Sequence, residues 1–497
     1  MTTTAGPRVA TGITGLDDIL DGGLPRSSLY VIQGDPGVGK TTLCIQFLLD
    51  GVNRGEPCLY ITLSESASEL RSVAASHGWT LEGLVIHELS AAESLSGQDE
   101  NTLFHPAEVE LGERIEQLIA EVDRVKPTRV VLDSCSELRL LAQTPLRFRR
   151  QILALKQHLV IERGCTLVLL DNISAGGDDQ VLLQSLAHGV ISLSQSLPDF
   201  GTERRRLAVL KLRGVRFRGG YHDYVIKTGG LVVFPRLIAS EHKTSFPDEI
   251  LTSGVSQLDT LLGGGLSRGT STLLMGPAGA GKSAIAMQYM AAAASRGEQS
   301  ALYLFDESRR NALTRAQALG QGAELASERV LIRQLDPAEV CPGEFAHEVR
   351  RLVERSNLRL VIIDSLNGYL QAMPNEHSLI AQMHELLMFL GQQGVVTIMV
   401  VAQHGIVSDT VFSPLDVSYL ADTVIMLRYF EAAGAIRKAI SVIKRRTGQH
   451  EDTIRELQLT AHGIRLGAPL REFSGVLTGT PLYSGSTEAS GPLLDNA

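Results

Sequence analysis

Short apolar runs alternate along this chain with longer stretches of helical period, and the whole alternation occurs twice. In the first half the runs are 57–63, 129–133 and 166–170; in the second they are 300–305, 360–364 and 395–401. Runs this short, almost unbroken in apolar residues and separated by helical segments, predict parallel strands covered on both faces. With 497 residues, each half is long enough to bury its own core. Two duplicated α/β domains therefore fit better than one large fold. The join is expected near 238–248, after Phe234-Pro235, where the pattern turns polar. This gives domains at 1–240 and 241–483. The last stretch, 484–497, is rich in Ser, Gly and Pro and reads as a disordered tail.

Each half opens its first long helix with the same loop. The first is Gly34-Asp35-Pro36-Gly37-Val38-Gly39-Lys40-Thr41, followed by Thr42; the second is Gly276-Pro277-Ala278-Gly279-Ala280-Gly281-Lys282-Ser283. Lys40 and Lys282 are 242 residues apart (282 − 40). At the same spacing, Thr11-Gly12-Ile13-Thr14-Gly15-Leu16-Asp17 recurs as Ser253-Gly254-Val255-Ser256-Gln257-Leu258-Asp259. Such a loop wraps backbone N–H groups around nucleotide phosphates at a helix start, where the dipole favours negative charge. The lysine reaches the β/γ-phosphates, and Thr41 or Ser283 holds Mg²⁺. Two nucleoside triphosphate sites with Mg²⁺ are expected.

Further residues complete the expected sites. Asp133 and Asp364 end short apolar runs, Arg129-Val130-Val131-Leu132-Asp133 and Leu360-Val361-Ile362-Ile363-Asp364. An acid at the C-terminal end of such a strand faces the Mg²⁺ beside the loop; the alternative is a helix-capping acid. On the strand after each loop stand Ser64-Glu65 and Asp306-Glu307, where a carboxylate orients or deprotonates an attacking water or hydroxyl. Ser64 replaces one acid, so the halves are expected to differ in chemistry. Late in each half, Lys211-Leu212-Arg213 and Lys444-Arg445-Arg446 place two cations on alternate strand residues, hence on one face. They form either an exposed basic edge or an arginine-finger pair reaching a neighbouring subunit's nucleotide.

Composition narrows the class. Hydrophobic content of 44% and charged content of 20% suit a globular chain, and no apolar run approaches the ~20 residues of a membrane span. The N-terminus lacks the basic start and apolar stretch of a secretory signal. Cys44, Cys58, Cys135, Cys165 and Cys341 are scattered and read as reduced thiols, so a cytoplasmic enzyme is expected. The net charge of −9 argues against a surface that coats nucleic acid. A RecA-type recombinase or helicase is thereby disfavoured, since no basic, aromatic-rich segment is present.

Taken together, the doubled loops, both Asp-ending strands, the Lys-x-Arg pairs and Phe234-Pro235 resemble the KaiC family over about residues 8–483. So does Ser418-Tyr419-Leu420-Ala421-Asp422-Thr423-Val424-Ile425. The family comprises two-domain RecA-like ATPases and autokinases of the cyanobacterial clock, with homologues in other bacteria that this chain resembles more closely. The resemblance implies two tandem RecA-like P-loop domains, each a mainly parallel sheet flanked by helices. It also implies a homo-hexameric ring with nucleotide at the subunit interfaces. Lys211, Arg213, Lys444 and Arg446 would then act on the adjacent subunit's nucleotide.

The family's second domain transfers the γ-phosphate to a Ser-Thr pair. Ser418 matches the serine, and Tyr419 stands where the threonine would be. The first-domain equivalent, Gln184-Ser185-Leu186-Ala187-His188, lacks the Asp, and the family carries no phosphate there. By the same resemblance Asp306 is the base toward Ser418 or water, with Glu307 supporting, while the first domain is left with Glu65. KaiB-like or two-component signalling proteins are the implied partners, and a timing or signalling switch the implied role. A nucleotide-gated scaffold without kinase activity is the alternative.

Overall fold

The computed structural model describes residues 7–89, 106–172, 178–198, 200–371, 379–403, 418–477 and 481–483. The expected disordered tail, 484–497, lies outside the described residues. The chain divides into two compact units, Met1–Arg236 and Leu237–Ala497. The division falls there because Leu237 and Ala239 are buried in the second unit's core and the Ala239 N–H donates to Glu385.

Each unit is built on a nine-stranded sheet. In the first, parallel strands run in the order Gly189–Ser196, Leu29–Gln33, Thr166–Asp171, Arg129–Asp133, Cys58–Thr62 and Leu84–Glu88. The second repeats this with Thr423–Ala432, Ser271–Gly276, Val396–Ala402, Leu358–Asp364, Gln299–Leu304 and Val330–Gln334. Because successive strand residues point to opposite faces, each sheet separates one apolar cluster from another. Leu59, Ile61, Val130 and Leu132 belong to one cluster of the first unit; Tyr30, Ile32, Tyr60 and Val131 belong to the other. Helices cover both faces, which is why the parallel strands read as unbroken apolar runs. The expected α/β class with tandem RecA-like domains stands.

Three antiparallel strands extend each sheet. They are Arg204–Leu212, Tyr221–Lys227 and Gly230–Phe234 in the first unit, and Ala435–Arg445, Arg455–Thr460 and Gly463–Pro469 in the second. Their half-exposed, basic stretches, such as Arg204-Arg205-Arg206, carry no continuous apolar signal.

One buried residue fixes the first unit's loop helix to its metal-side strand. Arg129 is 1% exposed; it donates to Glu56 Oε2 at 2.6 Å, Asp50 Oδ2 at 3.0 Å, and the carbonyls of Phe47 and Ala10 at 2.7 and 2.9 Å. Removing one partner of a buried charge cluster costs about 3–5 kcal/mol, since the remaining charges keep their desolvation penalty. Arg129→Ala is therefore expected to reduce hydrogen-exchange protection across Arg129–Asp133. Unchanged protection would show that the carboxylates are fully solvated without it.

Candidate nucleotide sites

Both loops have the backbone needed to wrap phosphates. Gly37 and Gly39 sit at φ +85° and +94°, and Gly279 and Gly281 at +76° and +107°, a region that side-chain-bearing residues rarely enter. Gly39 and Gly281 cap the helices Lys40–Asn53 and Lys282–Ser295, whose first N–H groups face the loop. Lys40 Nζ donates to the carbonyls of Gly34 and Asp35, and Lys282 Nζ to those of Gly276 and Pro277.

Lys282 is the more deeply placed, 6% exposed, and burial pushes its ammonium down to about 8, partly opposed by Asp364. Phosphates pair with the ammonium form. Affinity at the second site is therefore full below about pH 8 and falls as pH rises through it, by about tenfold per pH unit. Titrating a fluorescent ATP analogue into the Lys40→Ala chain measures this; a Kd flat above pH 8 would mean that Lys282 stays charged.

Asp133 accepts from Thr41 Oγ1 at 3.2 Å and from the Tyr60 hydroxyl at 2.6 Å. Burial raises its pKa, and those two hydrogen bonds oppose the rise. Burial likewise raises the pKa of Asp364, opposed by its hydrogen bond from Ser283. A half-desolvated carboxylate beside a hydroxyl is a hard oxygen donor set, and among the described residues no cluster of three or more His, Cys, Asp or Glu forms an all-protein cage. Such a set suits Mg²⁺, which is bound through one or two protein ligands together with phosphates and water. Asp133 with Thr41, and Asp364 with Ser283, are the residues that would hold it.

The acids on the neighbouring strand are arranged differently in the two units. Asp306 Oδ2 accepts from the Ser365 hydroxyl, and Ser365 Oγ in turn accepts from the Gly368 N–H at 3.2 Å. Glu307 forms a two-pronged ion pair with Arg315 at 2.8 and 2.7 Å. In the first unit Ser64 is exposed, and Glu65 keeps one buried oxygen, Oε2, without a hydrogen-bond partner among the described residues. Burial and, after it, the Asp133 charge raise the Glu65 pKa. Sequence reasoning missed Tyr60, Ser365 and Arg315. It also missed a first-unit ion pair, Arg139 to both oxygens of Asp171 at 2.9 and 3.0 Å. Strand register places Val401 at the position of Asp171 in the second unit, so that pair has no counterpart there.

The structure brings Lys444 and Arg446 onto the segment carrying the candidate phosphoacceptor, and Lys211 and Arg213 onto its first-unit equivalent. Lys444 Nζ donates to the carbonyls of Ser418 and Ala421 at 3.0 and 2.9 Å, and Arg446 donates to that of Tyr419 at 3.3 Å. Lys211 holds the carbonyl of Gln184 at 2.7 Å, and Arg213 that of Ser185 at 3.1 Å. A bulge precedes each lysine across the strand pair, between Val190/Ile191 and between Val424/Ile425. Bulges re-aim side chains, and the extra residues, Leu210 and Ile443, are exposed instead. His188 also stands in for the missing first-unit Asp. Its Nδ1 accepts from the Leu29 N–H at 3.0 Å, as Asp422 Oδ2 accepts from the Ser271 N–H at 3.0 Å.

A family model described as the KaiC ATPase matches residues 9–238 and 251–471, that is, both units. The chain belongs to the KaiC family. It is 27% identical over 493 residues to the circadian clock protein KaiC3 of Synechocystis sp., covering 97% of this chain and 96% of that protein. It is 25% identical to the circadian clock oscillator protein KaiC of Acaryochloris marina, covering 95% and 91%, and 26% identical to that of Thermostichus vulcanus, covering 95% and 92%. A KaiC-family ATPase binds nucleotide, in agreement with the paired loops. Among the described residues no helix is long and apolar enough to cross a membrane.

Proposed function

We propose that this KaiC-family ATPase is a homo-hexameric, Mg²⁺-dependent autokinase whose second domain phosphorylates Ser418 from ATP, working as a cytoplasmic signalling or timing switch. One observation carries the reading: Lys444 and Arg446 hold the backbone of Ser418 and Tyr419 in a 3-10 turn, Ser418–Leu420, which Asp422 ties to Ser271 at the start of the phosphate-loop strand. In a ring, this rigid edge would present Ser418 to the nucleotide of the adjacent copy. The Ser418 oxygen bonds to the γ-phosphorus as the bond to the β,γ-bridging oxygen breaks, and ADP leaves with the electron pair. Asp306 across the interface takes the hydroxyl proton, and Glu307, held by Arg315, supports it. Asp364 and Ser283 would hold the Mg²⁺, which would supply charge neutralisation on the phosphates.

The new phosphate would carry roughly −1.5 to −2 charge beside Lys444 and Arg446. It would draw those cations from the carbonyls they now hold and remodel the edge that a KaiB-like or two-component partner would read. Tyr419, 52% exposed, is the second acceptor. Incubation with Mg²⁺ and γ-labelled ATP, followed by phosphosite mapping, tests this. Label on Ser418 supports the autokinase. Free phosphate without label would leave an ATPase ring, and bound nucleotide with neither product would favour the nucleotide-gated scaffold.

A further inference from the structure

The first domain lacks an acid at Ser64, and the structure offers one from a different element. Thr62 pairs with Asp133, and Leu304 with Asp364, in the same parallel register. The next residues, Leu63 and Phe305, donate their N–H groups to the Asp133 and Asp364 carbonyls at 2.7 and 2.8 Å. Ser64 and Asp306 therefore occupy equivalent points. Each Asp is followed through a cis peptide bond by a serine, Ser134 or Ser365, and then by a helix, Cys135–Ala142 or Leu366–Gln371. Counted from each Asp, Glu137 is the counterpart of Gly368.

At these two pairs of positions the acid and the small residue trade places. In the second domain the acid is on the strand and the glycine on the helix. A Cβ added to Gly368 would lie 2.1 Å from Asp306 Oδ1 and 2.8 Å from its Cγ. Gly368 is thus bare because the Asp306 carboxylate fills that space. In the first domain the strand residue is the short Ser64, and the helix residue is Glu137. By register, its Cβ takes the counterpart of the space that the Asp306 carboxylate fills in the second domain. Glu137 is half-buried, and its side chain makes no hydrogen bond or ion pair with a described residue.

We propose that Glu137 is the carboxylate that orients and deprotonates the attacking water in the first domain. This rests on reading that domain as an ATPase, and deepens it. The water oxygen bonds to the γ-phosphorus as the bond to the β,γ-bridging oxygen breaks. ADP leaves with the electron pair, and the water proton passes to Glu137 and on to solvent, giving ADP and inorganic phosphate. Glu65 is the competing acid. Its counterpart, Glu307, is turned into an ion pair with Arg315 on the helix Arg309–Ala318. The matching helix Ala67–Ser76 has Val73 at that position, so Glu65 keeps the supporting place without its arginine.

The test uses the full chain carrying Lys282→Ala, so that turnover reports the first domain. Phosphate release and binding of a fluorescent ATP analogue are measured together. Glu137→Gln is expected to lower release about a hundredfold with binding retained, and Glu65→Gln to have the smaller effect. Ser64→Asp combined with Glu137→Gly, which rebuilds the second domain's arrangement, is expected to restore release, whereas Glu137→Gly alone does not. A purely structural Glu137 would not be rescued by moving the acid to the strand. Unchanged release in Glu137→Gln, or loss of release by Glu65→Gln alone, overturns the assignment and leaves the ATPase reading standing. A Lys282→Ala chain that binds nucleotide at the first site yet releases no phosphate removes the ATPase reading, and the assignment with it.

Discussion

Lys282→Ala is expected to cut nucleotide binding from two molecules per chain to one and to remove all phosphate from Ser418. The lysine is buried at the helix start beside the loop carbonyls of Gly276 and Pro277. Burial lowers its pKa to about 8, so the folded chain without nucleotide bears a cost to keep it charged. Alanine relieves that cost. The loss of binding would therefore come from the missing phosphate contact and not from unfolding. Removing one donor aimed at developing charge in a water-poor site lowers a rate by about 10²–10³; losing the ground-state contact as well takes phosphotransfer below detection. Binding stoichiometry with a fluorescent ATP analogue, together with phosphosite mapping, measures both. Phosphate on Ser418 in the purified Lys282→Ala chain would show that the kinase is another protein or that the assignment is wrong.

In a chain carrying Lys40→Ala, so that turnover reports the second domain, Arg446→Ala is expected to slow turnover in the assembled ring by about 10³–10⁵, the range for an arginine finger, with folding intact. Within one chain Arg446 has little to hold. Its side chain is 52% exposed, its contact with Asp422 is 3.5 Å long, and its bond to the Tyr419 carbonyl is 3.3 Å. Exposed pairs of this kind contribute at most about 1 kcal/mol. A large kinetic effect without a stability effect would therefore have to arise across a subunit interface. Lys444 differs, because its two short bonds secure the turn carrying Ser418, and its loss would disturb both. Single-turnover phosphate release, with ring assembly checked by light scattering, decides the matter. Unchanged turnover in an assembled Arg446→Ala ring would remove the trans-acting role.

The repeat, the α/β class, both phosphate loops and the candidate metal acids are legible in the chain alone. These are local signals: the loop chemistry needs glycines at fixed offsets, and a parallel strand buried on both faces must be apolar throughout. The remaining assignments depend on neighbours far apart in the chain. Gly368 was indistinct as a helix residue until the Asp306 carboxylate was found where its Cβ would go. Nothing local marks Glu137; only strand register matches it to Gly368. His188 read as a lost Asp, yet it accepts the same strand-start N–H, because a ring nitrogen and a carboxylate oxygen are both acceptors. The Lys-x-Arg pairs spoke of one face of a strand; which carbonyls that face meets was set by a bulge that no local pattern announces. Motifs fix the atoms that must be present, while register and packing fix which of them meet.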